Sequence, residues 1–183
     1  MNFFSKIRSS ANEFFNLRSL VVTGMLIGLY VAIHFTCTVP LSPTLQIRFG
    51  FVALALIGAL YGPTVGAVAG GICDLLALIR STGPFTPWYT VIYIIMGFIF
   101  GICLYQNKNK ILATVSSSAL TVVICDTILG TIALLILYPQ PLFPMFWGRL
   151  IKSAIMLPIE LVLVFFVLTL VEHKEIKRIL KRS

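Results

Sequence analysis

The sequence predicts an all-α integral membrane protein, a bundle of six transmembrane helices preceded by an amphipathic helix. Of its 183 residues, 58% are hydrophobic and 11% are charged, which is more apolar surface than a soluble domain of this size can bury. The apolar residues fall into successive runs separated by short polar or proline-rich connections. A backbone exposed to lipid must satisfy its own hydrogen bonds, and the strict alternation of a membrane barrel is absent. We therefore expect one helical membrane domain over residues 1–183.

The first predicted element is an amphipathic helix over residues 3–18 that lies in the membrane interface. Its apolar face consists of Phe3, Phe4, Ile7, Ala11, Phe14, Phe15 and Leu17. Its polar positions are Lys6, Arg8, Asn12, Glu13 and Arg18.

Six apolar runs follow, and a helix needs roughly 20 residues to cross the hydrocarbon core. The predicted spans cover about 20–36, 49–61, 64–79, 88–105, 111–138 and 146–171. Gly62-Pro63 separates the second span from the third, because this pair interrupts a helix. The fifth run is long enough to tilt. A basic tail over residues 172–183 ends the chain.

The 14 Lys and Arg residues are unequally distributed between the two sides of this predicted bundle. Most lie in the two termini and in the loop 106–110, a bias that predicts a cytoplasmic location for both termini of a multi-pass cell-membrane protein. The four exceptions lie at the ends of apolar runs on the predicted outer side: Arg48, Arg80, Arg149 and Lys152. A cationic cluster there predicts an anionic ligand that arrives from outside.

Two acidic residues lie well inside predicted spans, Asp74 in the third and Asp126 in the fifth. A carboxylate within hydrocarbon is costly, so each is a candidate functional residue. The alternative is structural: Asp74 could pair with Arg80 or another cation, and Asp126, beside Thr127, could make an ordinary polar contact between helices.

Arg149 and Lys152 are three residues apart on the sixth span and share a helix face. The planar guanidinium of Arg149 can bind a carboxylate or lie flat on an aromatic ring. Lys152 could equally extend its ammonium group to the membrane interface.

Aromatic residues gather where the second outer connection meets the fourth span, at Phe85, Trp88, Tyr89 and Tyr93. Such residues often anchor helices at a membrane boundary. Beside Arg80 and the other outer cations, they indicate a site for an aromatic ligand with acidic groups.

Small residues form two ladders that allow close helix approach. Gly24, Gly28 and Ala32 lie on the first span, and Gly62, Gly66 and Gly70 lie around the third. The second ladder suits packing within the bundle, whereas the first could also bind another membrane protein.

Several function classes are disfavoured. The cations form no solvated patch with interleaved aromatics, so nucleic acid is not an expected partner. His34 and His173 lack metal-ligand spacing, and no phosphate-binding loop is present. We expect no catalytic residue, no metal and no cofactor.

Seven short motifs, in this order and spacing, resemble the membrane-embedded substrate-binding (S) components of energy-coupling factor (ECF) vitamin transporters, in particular the folate-specific branch. The motifs are 48-RFGF-51, 60-LYGPTVG-66, 74-DLL-76, the pair 82-TGPFTP-87 and 97-GFIFG-101, and 149-RLIK-152 with 156-MLP-158. The resemblance implies a six-helix binding protein of a prokaryotic cell membrane. It also implies partners, namely a transmembrane coupling subunit and two cytoplasmic ATPase subunits, which alone would hydrolyse ATP.

In this family the ladder of the first span is the docking surface, which implies partner binding by Gly24, Gly28 and Ala32. The S component is thought to tip over in the membrane and carry the bound vitamin inward. Where the folate branch often has Gly-Phe after the proline, this chain has Trp88 and Tyr89.

Folate agrees with the residues identified above. Its pterin edge offers adjacent N–H donors for a carboxylate such as Asp74 or Asp126. Its rings suit Trp88, Tyr89 and the face of Arg149. The two glutamyl carboxylates could be bound by further outer cations, among them Arg48, Arg80 and Lys152.

Three alternatives remain open at this level. The cargo could be another flat heterocycle, such as a queuosine precursor or a pyrimidine, which would not use the outer cations. The chain could be an intramembrane enzyme that uses Asp74 and Asp126. It could also be a purely structural membrane subunit whose cations bind lipid headgroups.

Overall fold

The computed structural model describes residues 3–42, 45–79, 87–107, 109–137 and 142–171. Three sequence predictions lie outside these residues, namely Arg80, Phe85 and the basic tail 172–183. The described elements are the helices α1 (Phe3–Glu13), α2 (Leu17–Thr36), α3 (Phe51–Tyr61), α4 (Pro63–Leu78), α5 (Pro87–Leu104), α6 (Lys110–Leu120), α7 (Gly130–Leu137) and α8 (Leu142–Val171), and the strands β1 (Val39–Ser42) and β2 (Leu45–Ile47). A π-helical segment, Thr121–Leu129, joins α6 to α7 without a break.

Four of the described helical stretches are long and apolar enough to cross a membrane: Leu17–Thr36, Pro87–Leu104, Lys110–Ile136 and Phe146–Leu170. The apolar helices α3 and α4 are shorter. At 1.5 Å per residue α3 extends about 16 Å, roughly half of the hydrocarbon thickness. Nearly every side chain of α3 is buried, and Ala53, Leu54 and Ile57 are 0% exposed. A helix that is apolar on all sides belongs inside a bundle, and α3 occupies that central position.

The break between α3 and α4 has a simple cause. Gly62 has a φ of +87°, a conformation that glycine adopts without a steric penalty. Pro63 then begins α4, where its missing N–H costs no helical hydrogen bond.

Glycines bring α3, α4 and α5 into backbone contact. A Cβ atom added to Gly66 would lie 2.5 Å from the carbonyl oxygen of Gly97, and one added to Gly58 would lie 2.8 Å from the backbone nitrogen of Gly101. The glycine ladder of the third predicted span therefore serves packing within the bundle.

The N-terminal helix is shorter than the sequence predicts, because α1 ends at Glu13 and a turn leads into α2 at Leu17. Three of its polar side chains contact the bundle. Lys6 Nζ donates to the Ile102 carbonyl at 3.1 Å, and the Ser9 hydroxyl lies 3.1 Å from the hydroxyl of Tyr105. The buried Ser10 Oγ donates to the Tyr61 carbonyl at 2.6 Å. We call this the α1 end of the bundle.

The opposite end carries the β1–β2 hairpin, which connects α2 to α3. The strands are antiparallel, with Val39 opposite Ile47 and Pro40 opposite Gln46. The sequence predicted only an irregular, proline-rich connection here. We call this the hairpin end, and the candidate site residues gather near it.

Candidate ligand-binding site

Arg48 leaves β2 at the hairpin end and points into the bundle. Its Nη1 donates to the Tyr93 hydroxyl at 3.1 Å, and its Nη2 donates to Gln46 Oε1 at 3.2 Å. The Tyr93 phenol raises the pKa of the Arg48 guanidinium above its ordinary value. Arg48 is therefore a permanent cation, held against the first turns of α5.

Two aromatic residues of α2, Tyr30 and His34, lie beside Arg48 and Tyr93 and form an aromatic wall. Tyr30 is 1% exposed and meets the Tyr93 ring edge-on, with centroids 6.2 Å apart. His34 stacks on Tyr30 at 5.8 Å, and its buried Nδ1 has no hydrogen-bond partner. Gly50 makes room for this wall, because a Cβ there would lie 2.5 Å from the Tyr30 ring.

Asp74 lies on α4 and is 3% exposed. Its Oδ2 accepts a hydrogen bond from the Thr90 hydroxyl of α5 at 2.7 Å. This bond leaves further lone pairs of the carboxylate available to a ligand. Asp74 is thus a buried acceptor of hydrogen bonds.

Arg149 forms a second cationic group, on α8. It is 7% exposed, and its Nη1 donates to the backbone carbonyl of Asp126 at 2.6 Å. This carbonyl belongs to the π-helical segment Thr121–Leu129. The Nε of Arg149 is buried and has no partner, so it remains available as a charged donor.

Lys152 lies one turn further along α8 and pairs with the Asp126 carboxylate, with 3.7 Å between Nζ and Oδ1. Beside this pair, Thr127 Oγ1 donates to Ser153 Oγ at 3.0 Å. These contacts fasten α8 to the π-helical segment and hold Arg149 in place.

Tyr89 of α5 connects the two cationic groups, because it interacts electrostatically with both Arg48 and Arg149. Its neighbour Trp88 is 36% exposed, which fits either a ligand contact or an interfacial anchor.

The structure brings seven of the ten predicted ligand residues into these groups: Arg48, Asp74, Tyr89, Tyr93, Asp126, Arg149 and Lys152. Sequence reasoning missed Tyr30, His34 and Thr90. The first two follow Thr23 and Ile27 at spacings of three and four, which indicates that they share one face of α2 but does not predict their neighbours.

The residues of the first-span ladder lie elsewhere. Gly24, Gly28 and Ala32 are exposed on α2, and a Cβ added to Gly24 or Gly28 would meet nothing within 4 Å. Packing between the described helices does not explain this ladder.

The chemistry of the hairpin end combines fixed cations, a buried carboxylate and aromatic rings. It fits a flat ligand that carries both N–H donors and negative charge. Within the described ranges, no group of three or more His, Cys, Asp and Glu side chains is placed to hold a metal ion.

Comparison with known proteins gives consistent matches. The sequence profile of the family described as ECF-type riboflavin transporter, S component, matches residues 14–172. The folate transporter FolT of Clostridium novyi (strain NT) is 28% identical over 136 residues, which is 74% of this chain and 79% of that protein. FolT of Leuconostoc mesenteroides subsp. mesenteroides is 29% identical over 158 residues, 82% of this chain and 84% of that relative.

Among solved structures, the crystal structure of FolT bound with folic acid matches with a TM-score of 0.77 and 23% sequence identity. The match covers 83% of this chain and 93% of the other. The two chains therefore share a fold.

Proposed function

Because the chain belongs to the family of ECF-type riboflavin transporter S components, as its match over residues 14–172 shows, we propose that it is the folate-binding membrane subunit of an ECF-type importer. S components are transporter subunits rather than enzymes. ATP hydrolysis would then reside in two cytoplasmic ATPase subunits, which act with a transmembrane coupling subunit.

We propose six spans, in which the short helices count as spans because α3 is buried in the bundle and α4 packs beside it with an exposed apolar stripe at Val68, Ile72 and Leu75. Both termini would be cytoplasmic, since the cations outside the site gather at the α1 end and in the tail. The hairpin end would face outward, and α1 would lie at the inner membrane interface.

The observation that carries the folate assignment is the pair of arginines that both interact with Tyr89, the buried Arg149 and the partly buried Arg48. Folate has carboxylates at one end and a pterin with N–H donors at the other. Arg149, with its unpartnered Nε, would bind a glutamyl carboxylate, and Lys152 or Arg48 would bind the second. Asp74 would accept the pterin N–H groups while Thr90 orients it. Tyr89, Tyr93 and Trp88 would stack on the rings.

Asp126, Arg80 and Phe85 belong to the proposed site with smaller roles. Asp126 would position Lys152 through their 3.7 Å pair. Arg80 and Phe85 lie outside the described residues, and their proposed roles, a contact with a carboxylate and with the ligand rings, follow from the sequence alone.

Riboflavin is the second candidate, because the description of the family profile names it. It also presents a flat heterocycle with N–H donors, but it has no carboxylate. Riboflavin would therefore leave the site arginines without an anionic partner.

Calorimetric titration of the purified chain separates the two ligands. We expect one folate per chain and no measurable riboflavin binding. Asp74→Asn replaces half of the acceptor with an N–H donor, and a lost charged hydrogen bond of about 1.5–3 kcal/mol predicts roughly 10- to 100-fold weaker folate binding. Glu13→Gln, at the α1 end, is the matched control and should bind folate normally. Tighter binding of riboflavin than of folate would refute the folate assignment.

A further inference from the structure

A second polar cluster lies between α6 and α8, further along α8 than Arg149 and Lys152. Glu160 of α8 is 2% exposed, and Thr114 and Ser118 of α6 are 1% and 0% exposed. Glu160 follows Lys152 by two helical turns, which places it about 12 Å further along the helix axis. Among the described residues, no cation lies within ion-pair distance of the Glu160 carboxyl group.

Three oxygen atoms of this cluster make no hydrogen bond of ordinary length and angle: Glu160 Oε1, Ser118 Oγ and Thr114 Oγ1. Ser118 lies beside the Glu160 carboxyl group, and Thr114 is one turn from Ser118 on the same face of α6. The other buried hydroxyls of this face bond to the backbone of α6. Ser117 donates to the Thr114 carbonyl at 3.0 Å, and Thr121 donates to the Ser117 carbonyl at 2.8 Å. Thr114 and Ser118 thus differ from their neighbours on this face, whose hydroxyls are occupied by backbone carbonyls.

An ionised carboxylate inside a membrane bundle is stable only where a positive charge compensates it, since it otherwise takes up a proton. Hydroxyl and carboxylate oxygens are the ligands that hard cations prefer. A monovalent ion would neutralise the single carboxylate, whereas a divalent ion would leave a net positive charge in hydrocarbon. We propose that Glu160, Ser118 and Thr114 form an intramembrane binding site for a monovalent cation of the Na⁺ type.

The bound ion would join α6 to α8 on the face of α8 that also carries Arg149 and Ser153. Glu160, Met156, Ser153 and Arg149 recur along α8 at spacings of four, three and four, and all are buried. Occupancy would therefore stabilise the helix pair that positions Arg149. The cation site does not depend on which vitamin the chain binds.

Thermal unfolding of the purified full chain, without vitamin, tests the site. Na⁺ is varied against choline at constant total chloride. Because a ligand that binds only the folded state stabilises it by mass action, the Tm should rise with the logarithm of the Na⁺ concentration above the dissociation constant. Glu160→Gln keeps the size of the side chain and removes its charge, and it should abolish this dependence.

Ser118→Ala keeps the carboxylate and tests the site even where Glu160→Gln does not fold. It should require a several-fold higher Na⁺ concentration for the same rise in Tm. Ser116→Ala is the matched control, because Ser116 lies on the exposed side of α6 and bonds to the Leu112 carbonyl; it should respond like the wild type.

Three results would overturn the proposal. The first is a wild-type Tm that is equal in Na⁺ and in choline. A Tm that changes with pH but not with Na⁺ counts as the same result. The second is an Na⁺ response that persists in Glu160→Gln. The third is an identical response of Ser118→Ala and the wild type.

Discussion

At the scale of single residues, the position of Arg149 explains how a cation is kept ready for a ligand. The Asp126 carbonyl binds one end of the guanidinium at 2.6 Å, while Nε stays free. Because a hydrogen bond to a charged group contributes about 1.5–3 kcal/mol, Arg149→Ala should weaken folate binding roughly 10- to 100-fold in a calorimetric titration. Arg149→Lys keeps the positive charge but lacks the planar guanidinium, so its folate affinity should lie between those of the wild type and Arg149→Ala.

Arg8→Ala is the control for this substitution, because Arg8 is an exposed cation of α1 at the other end of the bundle. It should bind folate like the wild type. Equal folate affinity in Arg149→Ala and Arg8→Ala would exclude Arg149 from the site.

Gly130 provides the space that Arg149 occupies. A Cβ atom added at Gly130 would collide with Arg149 Nη1, the flexible end of that side chain. Gly130→Ala should therefore displace the guanidinium and weaken folate binding at least several-fold, with little loss of thermal stability. Gly24→Ala, where nothing lies within 4 Å, should change neither quantity. Normal folate affinity in Gly130→Ala would show that the observed guanidinium position is not needed.

The residue scale also shows where sequence reasoning stops. Asp74 and Arg149 were identifiable from the sequence, because a charged side chain within an apolar run is costly to bury in a membrane. Arg48 was identifiable as an outer cation, but its hydrogen bond to Tyr93, 45 positions away, was not. His34 and Tyr30 face Arg48 because three helices converge, and no local pattern encodes such a convergence.

At the scale of secondary-structure elements, the start of α4 depends on a residue from another helix. The position before α4 is Gly62, which has no side chain to accept the first N–H groups. Ser10 of α1 supplies the missing acceptor. Its Oγ accepts hydrogen bonds from the Thr64 nitrogen at 3.1 Å and from the Val65 nitrogen at 3.4 Å. These are the bonds that an N-cap side chain normally accepts.

Ser10→Ala should destabilise the protein by about 1–2 kcal/mol, the usual effect of losing an N-cap. The measurement is the Tm of the purified chain in detergent, and folate affinity should stay unchanged because the site lies at the hairpin end. Asn12→Ala, an exposed position on the same helix, is the control. A Tm no lower than that of the control would mean that water caps α4 equally well.

Element positions followed largely from apolar runs and from breaks such as Gly62-Pro63, because lipid demands long apolar segments. The two irregular features, the β1–β2 hairpin and the π-helical segment, could not be predicted in this way. The β1–β2 hairpin contains Pro40, which disfavours strands, and an irregularity in its register. The π-helical segment is tied to contacts between helices, including the Arg149 bond to the Asp126 carbonyl. Single-helix periodicity contains no signal for either feature.

At the scale of the whole molecule, glycines serve two different surfaces. Those of α3, α4 and α5 bring backbones together inside the bundle, as the contact of Gly66 with Gly97 illustrates. Those of α2 face outward, where a groove lined by small residues is open to another helix. The same spacing in the sequence therefore has an internal use in one helix and an external use in the other, and only the fold distinguishes them.

Because the α2 glycines face outward, substitutions there should impair assembly with a partner without impairing ligand binding. A double substitution, Gly24→Leu and Gly28→Leu, adds bulk where a Cβ meets no atom of the chain within 4 Å. The bundle and its folate affinity should remain intact, because the buried face of α2 carries Ile27 and Tyr30 instead. Co-purification with the proposed coupling subunit, and folate uptake by cells or vesicles, should be lost because close helix approach is blocked. Gly66→Leu is the contrasting control: it collides with the Gly97 backbone and should impair folding itself. Normal uptake by the double variant would show that the partner binds another face of the protein.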